Sequence, residues 1–355
     1  MTLNGKATEP RSQPRPRVRL PRYLATVLLL GLGVHILLPQ ITSIQHSLQV
    51  LKEMVWWRLG LAVLAQVASY IGSGVEVRSL SNLSKKHVSL LHSVVVAVAS
   101  GSVGMVAGGI VGVGAASYHW LRERGVEPEN AALAGSLPVW VNNGIMALLA
   151  SIGLIYLLVK GSLAIGQVIG YVLILVLIAA VFGLLVWSLS HREATVRLVD
   201  WGRRQWDKLR HRPHDPQAAR TAVNRMFSAW DLLGAGAWRG PLLGACMNNG
   251  FDLLCLYLLF ASARHPVDLG ILFTGYGLPL LLGKMVFLPG GVGVVEASMT
   301  ALYRSLGVPD AVVVVVILAY RLLSFWAPSI LGFLFIPYLN RLGQRYNSKQ
   351  IPPTV

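Results

Sequence analysis

The chain has 355 residues, 31 Lys+Arg against 15 Asp+Glu, 54% hydrophobic residues and 13% charged residues, where a soluble domain carries roughly 25% charged. That balance excludes an ordinary soluble enzyme. Several continuous runs approach the ~20 apolar residues that cross ~30 Å of hydrocarbon, and they do not alternate with a period of two, so the chain reads as a multi-span helical membrane protein and not a β-barrel. The net charge of +16 then marks cytoplasmic loops and anionic lipid headgroups rather than nucleic acid. Cys246 and Cys255 lie inside one apolar run and read as packing residues.

Residues 1–22 are rich in Pro and Arg without apolar periodicity, which predicts a disordered basic arm on the cytoplasmic side. Tyr23–Leu38 reads as the first span, since Leu38-Pro39-Gln40-Ile41 offers no small-x-small cleavage site. A second span is expected over about Val55 to Val75, followed by Arg78, Lys85 and Lys86. Val88–Ser117 is apolar but crowded with glycine, which predicts a break near Gly108-Gly109. Further runs cover Ala131–Val159, Val168–Leu189, Gly240–Ala263, Leu269–Leu288 and Ala311–Leu339. The basic stretch His191–Asp231 interleaves Trp201, Trp206 and Trp230 with its cations, a pattern that suits a helix in the headgroup layer better than base stacking. The expected organisation is a membrane domain over 23–340, with an interfacial basic segment at 191–239, and a cytoplasmic tail over 341–355.

With the arm, the 76–87 loop, the 122–124 turn, the 191–239 segment and the tail from Asn340 in the cytoplasm, the opposite side keeps Lys52, Arg58, Lys160, Arg264 and Arg304. Val88–Arg124 must then enter and leave on one side, and so must Leu269–Arg304, broken at Leu288-Pro289-Gly290-Gly291. Two re-entrant hairpins satisfy this; two full crossings each preserve the same parity. The expected fold is an all-α polytopic membrane protein of about six full spans plus two re-entrant hairpins.

Sliding the chain by 182 positions superposes Gly108-Gly109 on Gly290-Gly291, Ala115 on Ala297, Arg122 on Arg304 and Gly125-Val126 on Gly307-Val308 without a gap. The units, roughly 55–159 and 240–339, would point in opposite directions, an inverted repeat of the kind that recurs in transporters. A second echo, Asn142-Asn143-Gly144 and Asn248-Asn249-Gly250, has an offset of 106 and does not fit this repeat.

Ionisable groups at bilayer depth cost roughly 2.5–3.5 kcal/mol each on insertion scales, so each is a candidate for function. Glu296 follows the Gly-Gly break, Arg321 interrupts an apolar run, Lys284 precedes the break, and Asp252 sits one turn after Asn248-Asn249. A half-helix starting near Gly290-Gly291 would present N–H groups to a phosphate or carboxylate, with Arg321 or Lys284 completing the anion site. Arg304 joins this candidate substrate-binding set. The structural alternative is a Glu296–Arg321 pair that fixes helix packing, with Lys284 snorkelling to an interface.

Catalytic patterns are sparse. Gly277 to Met285 looks like a phosphate loop but has five residues between its glycines instead of four, and Met285 in place of Ser/Thr. His87, His92 and His119 lack metal-ligand spacing. No enzyme activity, metal or cofactor is expected.

Leu288-Pro289-Gly290-Gly291-Val292-Gly293-Val294-Val295-Glu296-Ala297, then Leu306-Gly307-Val308-Pro309 and Tyr320-Arg321-Leu322, resemble the signature of the flippase-like family that includes the transmembrane region of lysylphosphatidylglycerol synthase, the multiple peptide resistance factor. The resemblance covers about 23–340, with its specificity in 288–326. It implies an integral membrane protein that moves lipids, such as aminoacylated phosphatidylglycerol or polyprenyl and hopanoid lipids, between leaflets. A soluble aminoacyl-transferase domain follows the membrane part in the synthases; about 16 residues follow Leu339, so that activity is not implied. Where many relatives carry an acidic residue and an Arg in the first repeat, this chain has Gly112-Val113 and Ala116.

The expected function is a lipid flippase or lipid transporter of the plasma or inner membrane, with both termini cytoplasmic. A headgroup phosphate would pass between the Gly290-Gly291 half-helix and Arg321, with Glu296 as the proton-binding candidate. Expected partners are membrane lipids with anionic headgroups, and a second copy or a partner synthase. The alternatives are an intramembrane enzyme acting on a lipid phosphate and a non-transporting subunit that docks a partner through 191–230.

Overall fold

The computed structural model describes residues 44–83, 87–106, 109–160, 165–209, 238–285 and 289–350, with isolated positions between 217 and 227. The expected arm, the first span at 23–38 and most of 210–237 lie outside the described residues. Those described are helical, without strands: α1 (Ile44–Glu53), α2 (Trp56–Ser81), α3 (Leu90–Val106), α4 (Ile110–Arg122), α5 (Pro128–Val159), α6 (Ile165–Ser190), α7 (Arg192–Leu209), α8 (Arg239–Ser262), α9 (Leu269–Met285), a 3-10 turn (Pro289–Gly291), α10 (Val294–Ser305), α11 (Asp310–Arg321), a π-helical turn (Leu322–Trp326) and α12 (Ala327–Gln350).

Among the described residues, four helices are long and apolar enough to cross a bilayer: Trp56–Ser81, Pro128–Val159, Arg239–Ser262 and the continuous Asp310–Gly343. Their outward faces carry exposed apolar side chains such as Leu64, Leu148, Ile152, Leu331 and Leu334, the surface that acyl chains cover. The expected span at 168–189 is helical within α6. Helix α12 runs on to Gln350, past the end of the apolar run at Leu339.

The glycine breaks fall where the sequence places them. Gly109 (φ 62°) precedes α4, and Gly290, Gly291 and Gly293 (φ 63°, 63° and 84°) form the turn before α10, a backbone region that costs an L side chain about 1–2 kcal/mol. Each break joins a 17-residue helix to a shorter one, α3 to the 13-residue α4 and α9 to the 12-residue α10. At 1.5 Å per residue the shorter limbs reach about 18–20 Å, well under the ~30 Å of a hydrocarbon core.

Several helix starts and turns recur at the same offset of 182 positions. Trp56 opens α2 and Trp238 immediately precedes α8; Pro128 opens α5 and Asp310 opens α11. The turns ending α4 and α10 are the same turn: the N–H of Gly125 donates to the Arg122 carbonyl at 2.9 Å and that of Gly307 to the Arg304 carbonyl at 3.0 Å. Val126 and Val308 likewise donate to Leu121 and Tyr303, at 3.2 and 3.0 Å.

Packing crosses between the halves. The long limb of each hairpin lies on the long helix of the other half, α3 on α12 and α9 on α5. Glycine permits both approaches: a Cβ on Gly332 would strike Ser102 and the Val98 carbonyl, and one on Gly277 would strike the Met146 carbonyl and Ala150. Helices α2 and α8 meet equally closely, Gly72 against the backbone of Asn248 and Gly244, the small-residue contact by which helices associate in lipid. Among the described residues three apolar clusters result, one around Phe260, Tyr276, Met299, Tyr303, Ile317 and Tyr320, another around Val96, Ala99, Trp120, Leu121 and Leu339, and a small one at Leu154 and Leu157.

Helix α7 takes up the first part of the basic stretch. Arg192, Arg197, Trp201, Arg203 and Arg204 are exposed, while Thr195 and Val196 are buried.

Candidate functional site

The last turn of α11 aims two adjacent side chains at two polar clusters. Arg321 donates from Nε to Glu296 Oε1 at 2.6 Å and from a terminal nitrogen to the Gly290 carbonyl at 3.2 Å, and its guanidinium lies 4.2 Å from the Phe325 ring centroid. The other carboxylate oxygen of Glu296 accepts the N–H of Gly293 at 2.7 Å, capping α10 at its third position. The two side chains are only 5% and 12% exposed. Phe325 fills the space beside Gly290 where a Cβ would stand. Arg321 and Glu296 are therefore spent on each other and on the 290–293 turn, and they tie that turn to α11.

Directly after Arg321 the chain adds the π-helical turn Leu322–Trp326, a form that occurs mostly as single turns and often at functional sites. The Tyr70 hydroxyl donates to the Leu323 carbonyl at 2.6 Å, bracing the turn from α2. An open cleft of about 200 Å³ lies alongside, lined by Tyr70, Ser73, Gly101, Ser102, Ser324 and Phe325 among others.

The second cluster centres on Asn142 in α5. Its Nδ2 donates to both oxygens of Glu76, at 3.1 and 2.9 Å, and to the Pro138 carbonyl at 2.7 Å. Its Oδ1 accepts from Asn248 Nδ2 at 3.2 Å and from Asn249 Nδ2. Asn248 Oδ1 accepts the Ser69 hydroxyl at 2.8 Å. The two Asn-Asn-Gly motifs thus face each other across α5 and α8, which explains an echo that the 182-residue repeat does not contain.

The chain of polar groups continues to Asp252. Tyr276 contacts Asn249 Oδ1 at 3.3 Å and donates to Asp252 Oδ2 at 3.0 Å, and Tyr320 donates to the same oxygen at 2.8 Å. Asp252 Oδ1 is sealed and has no hydrogen-bond partner among the described residues, and the same holds for Oε1 of Gln66, whose amide lies beside Asp252. Glu76 is 1% exposed and forms no ion pair among the described residues. Lys284, near the end of α9, donates to Asn143 Oδ1 at 2.6 Å and contacts Met146 Sδ at 3.2 Å. It is exposed and makes no ion pair among the described residues.

The structure therefore divides the residues singled out in the sequence. Glu296, Arg321, Gly290 and Gly291 form one cluster. Asn248, Asn249, Asp252 and Lys284 line a second, next to it through Tyr320 and Arg321. Arg304 joins neither: it pairs with Asp310 at 2.9 Å, both side chains largely exposed, at the turn between α10 and α11. Sequence reasoning missed Glu76, Gln66 and Tyr276; it noticed Asn142 and Asn143 only as part of an echo and Tyr320 only as part of the family signature. Glu76 had a usable signal as the one acidic residue within Trp56–Ser81, but the expected span ended at Val75. Among the described residues no three His, Cys, Asp or Glu side chains group as metal ligands.

Comparison with known proteins gives a consistent answer. The chain is 32% identical over 89 residues to a UPF0104 membrane protein of Methanothermobacter thermautotrophicus, covering 25% of this chain and 26% of that one. It is 32% identical over 95 residues to one of Methanocaldococcus jannaschii, covering 27% and 28%, and 30% identical over 87 residues to one of Pyrococcus horikoshii, covering 24% and 26%. These matches span about a quarter of each relative's length. Residues 23–332 match the family described as the lysylphosphatidylglycerol synthase TM region. On that match, which takes in both hairpins and both polar clusters, the chain belongs to the family of lysylphosphatidylglycerol synthase transmembrane regions.

Proposed function

We propose that the protein moves a phosphate-bearing lipid between leaflets, the headgroup passing through the polar interior while the acyl chains stay in the bilayer. The observation that carries this reading is Lys284: an exposed ammonium at the end of an apolar helix, held by a neutral amide and making no ion pair among the described residues. A cation at that depth is costly without a function, and a phosphate is the anion that a lipid supplies. Arg321, the cation first suggested by the sequence, is instead committed to Glu296 and Gly290.

On this reading the two hairpins are re-entrant, because α4 and α10 are too short to cross, and their glycine turns stand where surrounding helices shield non-helical backbone. The two halves are oppositely oriented, with the clusters near the bilayer centre between them. Membership of the family supports a lipid-related role. The test is leaflet exchange of fluorescent phosphatidylglycerol in liposomes containing the protein. Exchange should fall at least tenfold in Lys284→Met, a change of ~1.4 kcal/mol in the barrier, with the folded yield unchanged. Equal rates in the two proteins would refute a phosphate contact at Lys284.

A further inference from the structure

Asp252 Oδ2 accepts two tyrosine hydroxyls, while among the described residues Oδ1 has no hydrogen-bond donor, and neither has Gln66 Oε1, on a residue only 3% exposed. An orphan acceptor sealed from water is destabilising, and here two belong to neighbouring side chains. The groups around Asp252 are Gln66 and Tyr70 of α2, Cys255 on its own helix, Tyr276 and Lys284 of α9, and Tyr320 of α11. Lys284 is the one cation among them, and it is turned to Asn143 instead. Both orphan atoms are closed to a water-sized probe, so nothing larger than a proton enters without rearrangement. One proton on Asp252 Oδ1, donated to Gln66 Oε1, would satisfy both atoms at once; it needs only the amide orientation that places oxygen toward Asp252, an assignment set by the hydrogen-bond network.

We propose that Asp252 and Gln66 form a proton-binding site, and that Asp252 and the lipid phosphate compete for Lys284, so that proton and headgroup are bound and released together. This rests on the reading of Lys284 given above. With the proton in place Asp252 is neutral, and the Lys284 ammonium is free to hold a phosphate. When the site opens, the O–H bond of Asp252 breaks, the proton passes to water and the electron pair stays on the carboxylate. The new charge draws Lys284 from the phosphate, and the headgroup leaves.

Infrared difference spectroscopy of the purified protein tests the site without any lipid movement. The wild-type minus Asp252→Asn spectrum should contain the carbonyl stretch of a protonated carboxylic acid, shifted in heavy water. Gln66→Leu should keep that band but move it to higher frequency, since its hydrogen bond is lost; this second variant keeps the test intact if Asp252→Asn does not fold. In liposomes, the pH dependence of exchange should be lost in Asp252→Asn. A difference spectrum without the acid band overturns the proton site, as does a band unmoved by Gln66→Leu. Exchange that depends on Lys284 in the absence of the band leaves the transport reading standing and sinks this one. A band that behaves as expected in a protein that exchanges no lipid supports the proton site and overturns its coupling to a headgroup.

Discussion

Replacing Asn142 with Leu should destabilise the protein far more than the same change at Asn143, one residue along the same helix. Asn142 donates to Glu76 and to the Pro138 carbonyl and accepts from Asn248 and Asn249, so it joins α5 to α2 and α8. Side-chain hydrogen bonds between membrane helices average about 0.6 kcal/mol and reach about 1.7, so the three interhelical links give about 2 kcal/mol. The Glu76 carboxyl then loses the one hydrogen-bond partner it has among the described residues while remaining 1% exposed, and an orphaned buried group adds about 1–3 kcal/mol. The expected loss is about 3–5 kcal/mol. Asn143 holds only the exposed Lys284, which water can solvate in its place, so Asn143→Leu should cost under about 1 kcal/mol. Equilibrium unfolding in mixed micelles of increasing SDS content measures both. Adding Glu76→Leu to Asn142→Leu should recover part of the loss by removing the orphan. Equal stability of the two single variants would refute Asn142 as the hub.

Gly72→Ala should cost about 2 kcal/mol by forcing a Cβ to within 2.5 Å of the Asn248 backbone, whereas Gly60→Ala, with nothing within 4 Å on the same helix, should be neutral or gain about 0.5–1 kcal/mol; thermal denaturation in detergent compares them. Arg321→Ala should lower folded yield by leaving Glu296 buried without its cation, a loss of about 3–5 kcal/mol, and the paired change Arg321→Met with Glu296→Gln should restore it; size-exclusion profiles read this directly. Arg197→Gln and Arg203→Gln on exposed positions of α7 should each weaken preference for anionic over zwitterionic lipid by about 1 kcal/mol in low salt, measured by native mass spectrometry of retained lipid.

The spans and the breaks were the most legible features, for different reasons. Continuous apolar runs leave little choice but helix in a bilayer, so α5 and α8 start and end within a few residues of their expected limits, and the α11–α12 rod starts close to its own but runs on past Leu339 to Gln350. The breaks at Gly109 and Gly290-Gly291 were legible because positive φ is a local property of glycine. Helix α2 runs past its expected end at Val75 because its polar residue Glu76 is accepted into the interior by Asn142, a partner 66 positions away. The phosphate-loop look of Gly277 to Met285 dissolves into helix α9, where Gly277 and Gly283 serve close packing on α5 and on the 291–295 segment. The pairing of Glu296 with Arg321 was foreseen as one of two readings. That it also holds Gly290 and the Phe325 ring was not, because the π-helical turn that presents Phe325 has no local signal in Leu322–Trp326.

The most direct test of the central claim is transbilayer movement of two labelled lipids that differ only in the phosphate, a phosphatidylglycerol and a phosphate-free diacylglycerol glycoside, in the same proteoliposomes. The account predicts that the protein accelerates the phosphate-bearing lipid, that Lys284→Met abolishes most of that acceleration, and that the glycoside moves no faster than in protein-free liposomes. Equal acceleration of both lipids, unaffected by Lys284→Met, would contradict it.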